Sequence, residues 1–307
     1  MKAAIRRKYG SHEVVTVEEL EQPVPKENEV LIRVHGTTVN RTDCANLTAK
    51  PFIMRFLLGI FSPKRIVLGT DFAGVVVQTG KAVKNFKQGD GVFGFNDMGL
   101  ASQAEYLTLP ENGNLMTIPE GIGYDIAAAS IEGAHYAYTF LKKSMIESGD
   151  KVLINGATGA IGSSLLQFVK QSGATITATC NTKNIKLIES LGASKVYDYT
   201  REDFLNDTEH YDFVFDAVGK STFKKCSRLL KKKGVYISSE LGPNAQNVYF
   251  ALITPWLGGQ KVVFPIPFSP QETLPFIKKN LEQASFKPII DKVYALDEIA
   301  KAYEYVL

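Results

Sequence analysis

The amino-acid sequence predicts an α/β protein in two parts, a β-rich first part and a doubly wound parallel sheet after it. Three observations carry this prediction. Up to Pro119 the chain shows short apolar runs separated by Gly and Asp turns. From Lys151 strand-like and helix-like patterns alternate, which implies a parallel sheet covered on both faces. Between the first of those strands and its helix lies a run of evenly spaced glycines.

Residues 30–34 (VLIRV) alternate apolar and polar, as a half-buried strand does. Residues 75–77 form an apolar run between Gly74 and Gly80. In 87–94 a Gly-Asp-Gly turn leads into a strand, and 104–109 is a strand stopped by Pro110. Residues 52–61 (FIMRFLLGIF) are too short to span a bilayer and are interrupted by Arg55, so they read as a buried or substrate-facing segment. Residues 124–143 read as one long helix. Strands are predicted at 151–155, 175–180, 195–198, 211–216, 234–238 and 261–266, with helices at 160–172, 183–191 and 221–231. Lys231, Lys232 and Lys233 then form a solvated basic helix end. A helix at 270–284, a strand-like 287–296 and a helix from 297 close the chain. The last apolar pattern runs to the final residue with no cap or following strand, so the expectation is either a lacking closing element or an edge built differently.

The 307 residues hold 35 Lys+Arg against 32 Asp+Glu, and a net charge of +3 gives no reason to expect a nucleic-acid partner. Three widely spaced cysteines form neither a four-cysteine zinc site nor a disulfide framework, which fits a reduced, cytoplasmic protein. No segment has the apolar core of a signal peptide, and no membrane partner is expected.

The glycine run is Gly156-Ala-Thr158-Gly159-Ala160-Ile161-Gly162, after an apolar strand and before a helix. Small residues there let the backbone turn tightly and approach a pyrophosphate, which the free amides at the helix start would bind. At the end of the second strand of this part, Asn181, Thr182 and Lys183 stand where an acid would bind a ribose 2′-hydroxyl. A cation with polar neighbours suits a 2′-phosphate, so the expected cofactor is NADP(H). Ala217, Val218 and Gly219 close the fourth strand, and Ser238 and Ser239 the fifth, at the edge where open parallel sheets bind ligands.

In order along the chain, several segments resemble the medium-chain dehydrogenase/reductase superfamily in its zinc-independent quinone reductase branch. They are Val39-Asn40-Arg41-Thr42-Asp43, LGTDFAG at 68–74, FKQGDGVFG at 86–94, Ala104-Glu105-Tyr106, GATGAIG at 156–162, Leu191-Gly192-Ala193 with 196–199, and 215–219 (FDAVG). The resemblance implies a GroES-like catalytic domain (1–119 and 266–307) and a Rossmann NADP(H)-binding domain (120–265), with the active site between them. It places Asn40 near the nicotinamide, Tyr199 near the adenosine 2′-phosphate, and His135 where relatives carry a cleft-facing Thr. His135 then reads as an acid or polarising donor. The superfamily's zinc-ligand positions fall on Asn40, Thr70 and about Ile131, none a competent ligand, so no metal is expected. The implied function is hydride transfer from NADPH to a quinone or α,β-unsaturated carbonyl. The alternatives are a zinc-type alcohol dehydrogenase and an NADPH-binding protein with little turnover. A homodimer is expected, through the apolar run 248–257 and the strand after it.

Overall fold

The computed structural model describes residues 1–307, which divide into two compact units. The first comprises Met1–Glu132, Ser269–Glu282 and Ile290–Leu307, and the second Gly133–Phe268 and Gln283–Ile289.

In the first unit the strands are β1 (Lys2–Ile5), β2 (Thr16–Glu19), β3 (Glu29–Gly36), β4 (Asp71–Thr79), β5 (Gly91–Phe95), β6 (Tyr106–Pro110) and β7 (Leu115–Thr117). β1 pairs with β2, and the other five form an antiparallel sheet in the order β6-β3-β4-β5-β7. Alternate residues of these strands, among them Val30, Ile32, Phe72, Val76, Val92 and Leu107, fill one core. Its helices are α1 (Arg41–Thr48), α2 (Met54–Leu58), α3 (Tyr124–Ala129) and, late in the chain, α9 (Pro270–Glu282) and α10 (Ile299–Val306).

The second unit holds β8 (Lys151–Asn155), β9 (Thr175–Cys180), β10 (Lys195–Asp198), β11 (Tyr211–Asp216), β12 (Leu230–Ser238) and β13 (Lys261–Val263). They pair in parallel in the order β10-β9-β8-β11-β12-β13. The strand order reverses between β8 and β11, the switch point at which such sheets bind ligands. The helices α5 (Ala160–Lys170), α6 (Ile185–Leu191), α7 (Phe223–Cys226) and α8 (Gln246–Ile253) follow the strands, while α4 (Glu132–Ser144) starts where the first unit ends. This is the predicted class, a GroES-like domain with a Rossmann sheet.

Several boundaries differ from the sequence reading. The predicted long helix is two, α3 and α4, parted at Ser130 and Ile131. α3 packs on β3, β4 and β5, and the Tyr124 ring stacks on His35 with centroids 4.5 Å apart, so residues 120–132 join the first unit. Residues 283–289 join the second instead. There Phe286 meets Phe168, and Gln167 and Lys287 exchange two 3.0 Å hydrogen bonds. The predicted helix at 221–231 is only α7 and a 3-10 turn. β12 starts at Leu230, so Lys231, Lys232 and Lys233 are exposed strand residues and cap no helix. β13 stops at Val263, ahead of Pro265 and Pro267, which lack the N–H a ladder needs. Residues 287–296 form no strand before a 3-10 turn begins at Leu296. No helix is long and apolar enough to cross a membrane.

Candidate functional site

In the second unit the predicted cofactor residues gather at one place, the carboxyl ends of the parallel strands. β8 ends at Asn155, and Gly156 turns the chain at φ +84°, a left-handed conformation that favours glycine. A side chain there would meet Val218 at 2.2 Å, so the turn closes against the end of β11. Gly162 lets α5 press on the same turn, since an added Cβ would lie 2.2 Å from the Gly156 carbonyl. Gly159 and Ala160 remain exposed, with no side-chain cap on the first turn of α5. Amides without intrahelical acceptors and the positive end of the helix dipole thus face outward, and the cradle fits a pyrophosphate.

A buried network that the sequence reading missed holds this edge in shape. The Gly156 amide donates to Thr179 Oγ1 (2.9 Å), whose hydroxyl donates to Asn155 Oδ1 (2.7 Å). Asn155 Nδ2 donates to Asp216 Oδ1 (3.1 Å), and the other Asp216 oxygen accepts from the Ser221 amide (2.9 Å) and the Tyr236 hydroxyl (3.1 Å). One chain of bonds therefore ties the ends of β8, β9, β11 and β12. Its signal was available: apolar strands that end in a polar residue, as KVLIN and YDFVFD do.

At the adenosine end, Lys183 is exposed and Tyr199 is exposed at the end of β10. Thr182 is not free to bind phosphate as expected, because its hydroxyl donates to Asp198. Asn181 Oδ1 likewise accepts from Asn184 Nδ2 (2.8 Å). Asp198, the last residue of β10, pairs in register with Cys180 at the end of β9. It also accepts from the Thr200 hydroxyl and lies 3.5 Å from Arg201 Nε. The Thr182 and Thr200 hydroxyls hold its carboxyl below the usual range. Arg201 is a second cation at this end, beyond Lys183, and sequence reasoning passed over it. Ala217 donates its amide to the Asn155 carbonyl (3.1 Å), Val218 lies against Gly156, and Ser238 is buried at the end of β12 beside Ser239.

In the first unit, Asn40 is the N-cap of α1. Its Oδ1 accepts from the Asp43 backbone amide (2.8 Å), and the Asn40 backbone amide donates to the Asp43 carboxylate (3.2 Å), a capping box. Its Nδ2 lies 3.0–3.1 Å from Thr38 Oγ1, Thr70 Oγ1 and Asp71 Oδ2. Two amide hydrogens already face three acceptors of the protein, so donation to a ligand requires releasing one of them. Around it, Asp71 accepts from the Thr38 amide (2.7 Å), and Gln103 bridges the Thr38 carbonyl and the Tyr303 hydroxyl of α10. Burial, with Asp71 beside it, pushes the Asp43 carboxyl well up, and burial raises Asp71 too.

Glu132, at the start of α4, is a further candidate that the sequence reading passed over. Burial pushes its carboxyl up to about 7, opposed by the Thr42 hydroxyl that donates to it (3.0 Å) and reinforced by Asp71 and Asp97. A carboxyl near half protonation at neutral pH can act as a general acid. His135, on the same helix, is fully buried and its ring lies edge-on to Tyr136 at 5.2 Å. No three His, Cys, Asp or Glu side chains converge as a metal-ligand set. Among the superfamily's zinc-ligand positions, Asn40 spends its side chain on hydrogen bonds, Thr70 binds Asn40, and Ile131 is buried and apolar.

The comparisons agree with this architecture. A family model described as "Alcohol dehydrogenase GroES-like domain" matches residues 26–146, and one described as "Zinc-binding dehydrogenase" matches 191–306. The chain is 30% identical to a 2-methylene-furan-3-one reductase of Solanum lycopersicum over 319 residues, covering 100% of this chain and 76% of that protein. It is 29% identical to a chloroplastic NADPH-dependent alkenal/one oxidoreductase of Arabidopsis thaliana, with the same coverage. The quinone oxidoreductase of Coxiella burnetii shares the fold at TM-score 0.85 and 24% identity, covering 100% of this chain and 95% of that one. With reductase relatives along its whole length, and with both a GroES-like unit and a Rossmann sheet, this chain belongs to the medium-chain dehydrogenase/reductase superfamily, as an oxidoreductase.

Proposed function

We propose that the protein is an NADPH-dependent reductase that transfers hydride, without zinc, to a quinone or an α,β-unsaturated carbonyl. The observation that carries this reading is the open turn from Gly156 to Gly162 at the head of α5, with Lys183 and Arg201 at the neighbouring strand ends. Thr158, Gly159, Ala160, Ile161 and Gly162 would hold the pyrophosphate through backbone amides. Lys183, Arg201 and Tyr199 would meet the 2′-phosphate, and Ala217, Val218, Ser238 and Ser239 would line the strand edge along the cofactor. The bound nicotinamide would supply the hydride. The substrate class rests on the names of the relatives, an alkenal/one oxidoreductase and a furanone reductase among them.

Proton delivery falls to this chain's own groups. His135 and Glu132 are the proposed donors, Glu132 because its carboxyl exchanges a proton near pH 7. Asn40 we read as positioning the Thr38–Thr70–Asp71 cluster. A zinc alcohol dehydrogenase is disfavoured by the donor set at Asn40, Thr70 and Ile131. The proposed assembly is a homodimer through the exposed Tyr249, Leu252, Trp256 and Leu257.

Equilibrium titration should give NADPH a dissociation constant about tenfold below that of NADH, and NADPH should be consumed with at least one member of a panel of enals, enones and quinones. Equal constants would remove the phosphate reading. Tight NADPH binding without turnover on any member would favour a nucleotide-binding protein. Near-stoichiometric zinc lost together with activity would overturn the zinc-free mechanism.

A further inference from the structure

Residues 52–61, read from the sequence as buried or substrate-facing, are mostly exposed. Leu58 and Pro63 anchor the segment inward, and the Tyr9 hydroxyl donates to the Gly59 carbonyl (2.7 Å). The outer face carries Phe52, Ile53, Phe56, Leu57, Ile60 and Phe61, with Phe61 95% exposed. An apolar patch of this density on a folded surface marks an interaction site.

Its charge says what kind. From Asp43 to Asp71 the chain has no acidic residue between, but Lys50, Arg55, Lys64 and Arg65. None of the four is in an ion pair. Arg55 lies over the rings of Tyr9 (5.0 Å) and Phe52 (5.5 Å), which holds its charge among the aromatic side chains. Leu57, Leu58, Lys64 and Arg65 also wall a cavity of about 180 Å³ whose lining includes Arg6 and Asp43. Arg6 is 4% exposed, donates to the Asn46 carbonyl, and keeps its Nε without a partner. A buried guanidinium with an unfilled donor beside two surface cations is a receptor for an anion.

We propose that this face docks on an anionic phospholipid bilayer, its apolar side chains entering the interface and its cations meeting headgroup phosphates, one of them in the Arg6 cavity. The proposal replaces the expectation of no membrane partner and is independent of the reading of the activity. A second copy of the chain is the poorer occupant, because two such faces would oppose four positive charges to four. The exposed strip around Trp256 differs in that Lys261 is the only charged residue between Glu240 and Glu272, which suits contact with a copy.

The test is flotation of the full chain with vesicles of phosphatidylcholine alone and with about 30% phosphatidylserine added. Binding should be about tenfold stronger to the anionic vesicles and should weaken at about 0.5 M salt. The double variant Phe56→Ser/Phe61→Ser and the charge reversal Lys64→Glu/Arg65→Glu should each lose it while keeping the wild-type melting temperature. Equal binding to both vesicles, or undiminished binding by the double Ser variant, overturns the proposal. So does a solution dimer that the double Ser variant converts to monomer, which assigns the face to a second copy.

Discussion

A carboxyl sealed from water beside one hydroxyl titrates unlike its exposed counterparts, and Glu132 is the case to test. Its pKa rises from an ordinary 4.5 to about 7 on folding. Between those values the folded state binds more protons than the unfolded, so stability falls as pH rises. The contribution is intact below 4.5 and lost on passing through 7, and a shift of that size corresponds to roughly 3 kcal/mol. Glu132→Gln should reduce the stability difference between about pH 5 and about pH 8, measured by denaturant unfolding, and should be the more stable protein at the upper value. An unaltered pH dependence would mean that Glu132 is solvated. The raised Asp43 and Asp71 act in the same direction, so the variant should flatten the profile without levelling it. None of this was legible in the sequence. Asn40, Asp71 and Gln103 join one hydrogen-bonded cluster through Thr38 although they stand some thirty residues apart, and long-range pairings bring them together, β3 with β4 for Asp71 and the backbone bonds of Gln103 to Ala4 and Leu68.

At the scale of elements, β8, β9, β10 and β11 occupy the residues expected of them, because β8 and β11 carry continuous apolar runs and β9 and β10 are short stretches rich in β-branched and aromatic residues. Helix limits were less legible where tertiary packing decided them. The break at Ser130–Ile131 and the conversion of 230–233 to strand leave no mark in local periodicity. The turn from Gly156 to Gly162 allows two functions to be separated. Gly162→Ala sets a methyl 2.2 Å from a backbone carbonyl, so α5 must move, at a cost of roughly 1–3 kcal/mol. Both melting temperature and NADPH affinity should fall. At Gly159 the nearest atom to an added Cβ is 3.7 Å away and φ is −68°, so Gly159→Ala should leave melting almost unchanged. It should still weaken NADPH about tenfold, because its methyl stands where the phosphates would approach. Calorimetric titration beside thermal melts decides, and a Gly159→Ala protein with normal affinity would place the cofactor elsewhere.

For the whole molecule, the exposed Tyr249, Leu252, Trp256 and Leu257 leave an apolar strip with Trp256 88% exposed. Sedimentation equilibrium should return twice the 33.8 kDa chain mass, and Trp256→Ser should shift it toward the monomer. A wild-type monomer at micromolar concentration would leave that strip without its proposed partner. A further property of the whole chain follows from its cysteines. Cys44, Cys180 and Cys226 are all free and buried, and burial pushes Cys44 up to about 12 and Cys226 to about 11. Conjugated enals are soft electrophiles that alkylate thiolates, and at neutral pH these cysteines are neither ionised nor accessible. A catalyst working on such compounds would thus present them no surface thiol, and would be spared cysteine alkylation by its own substrate pool.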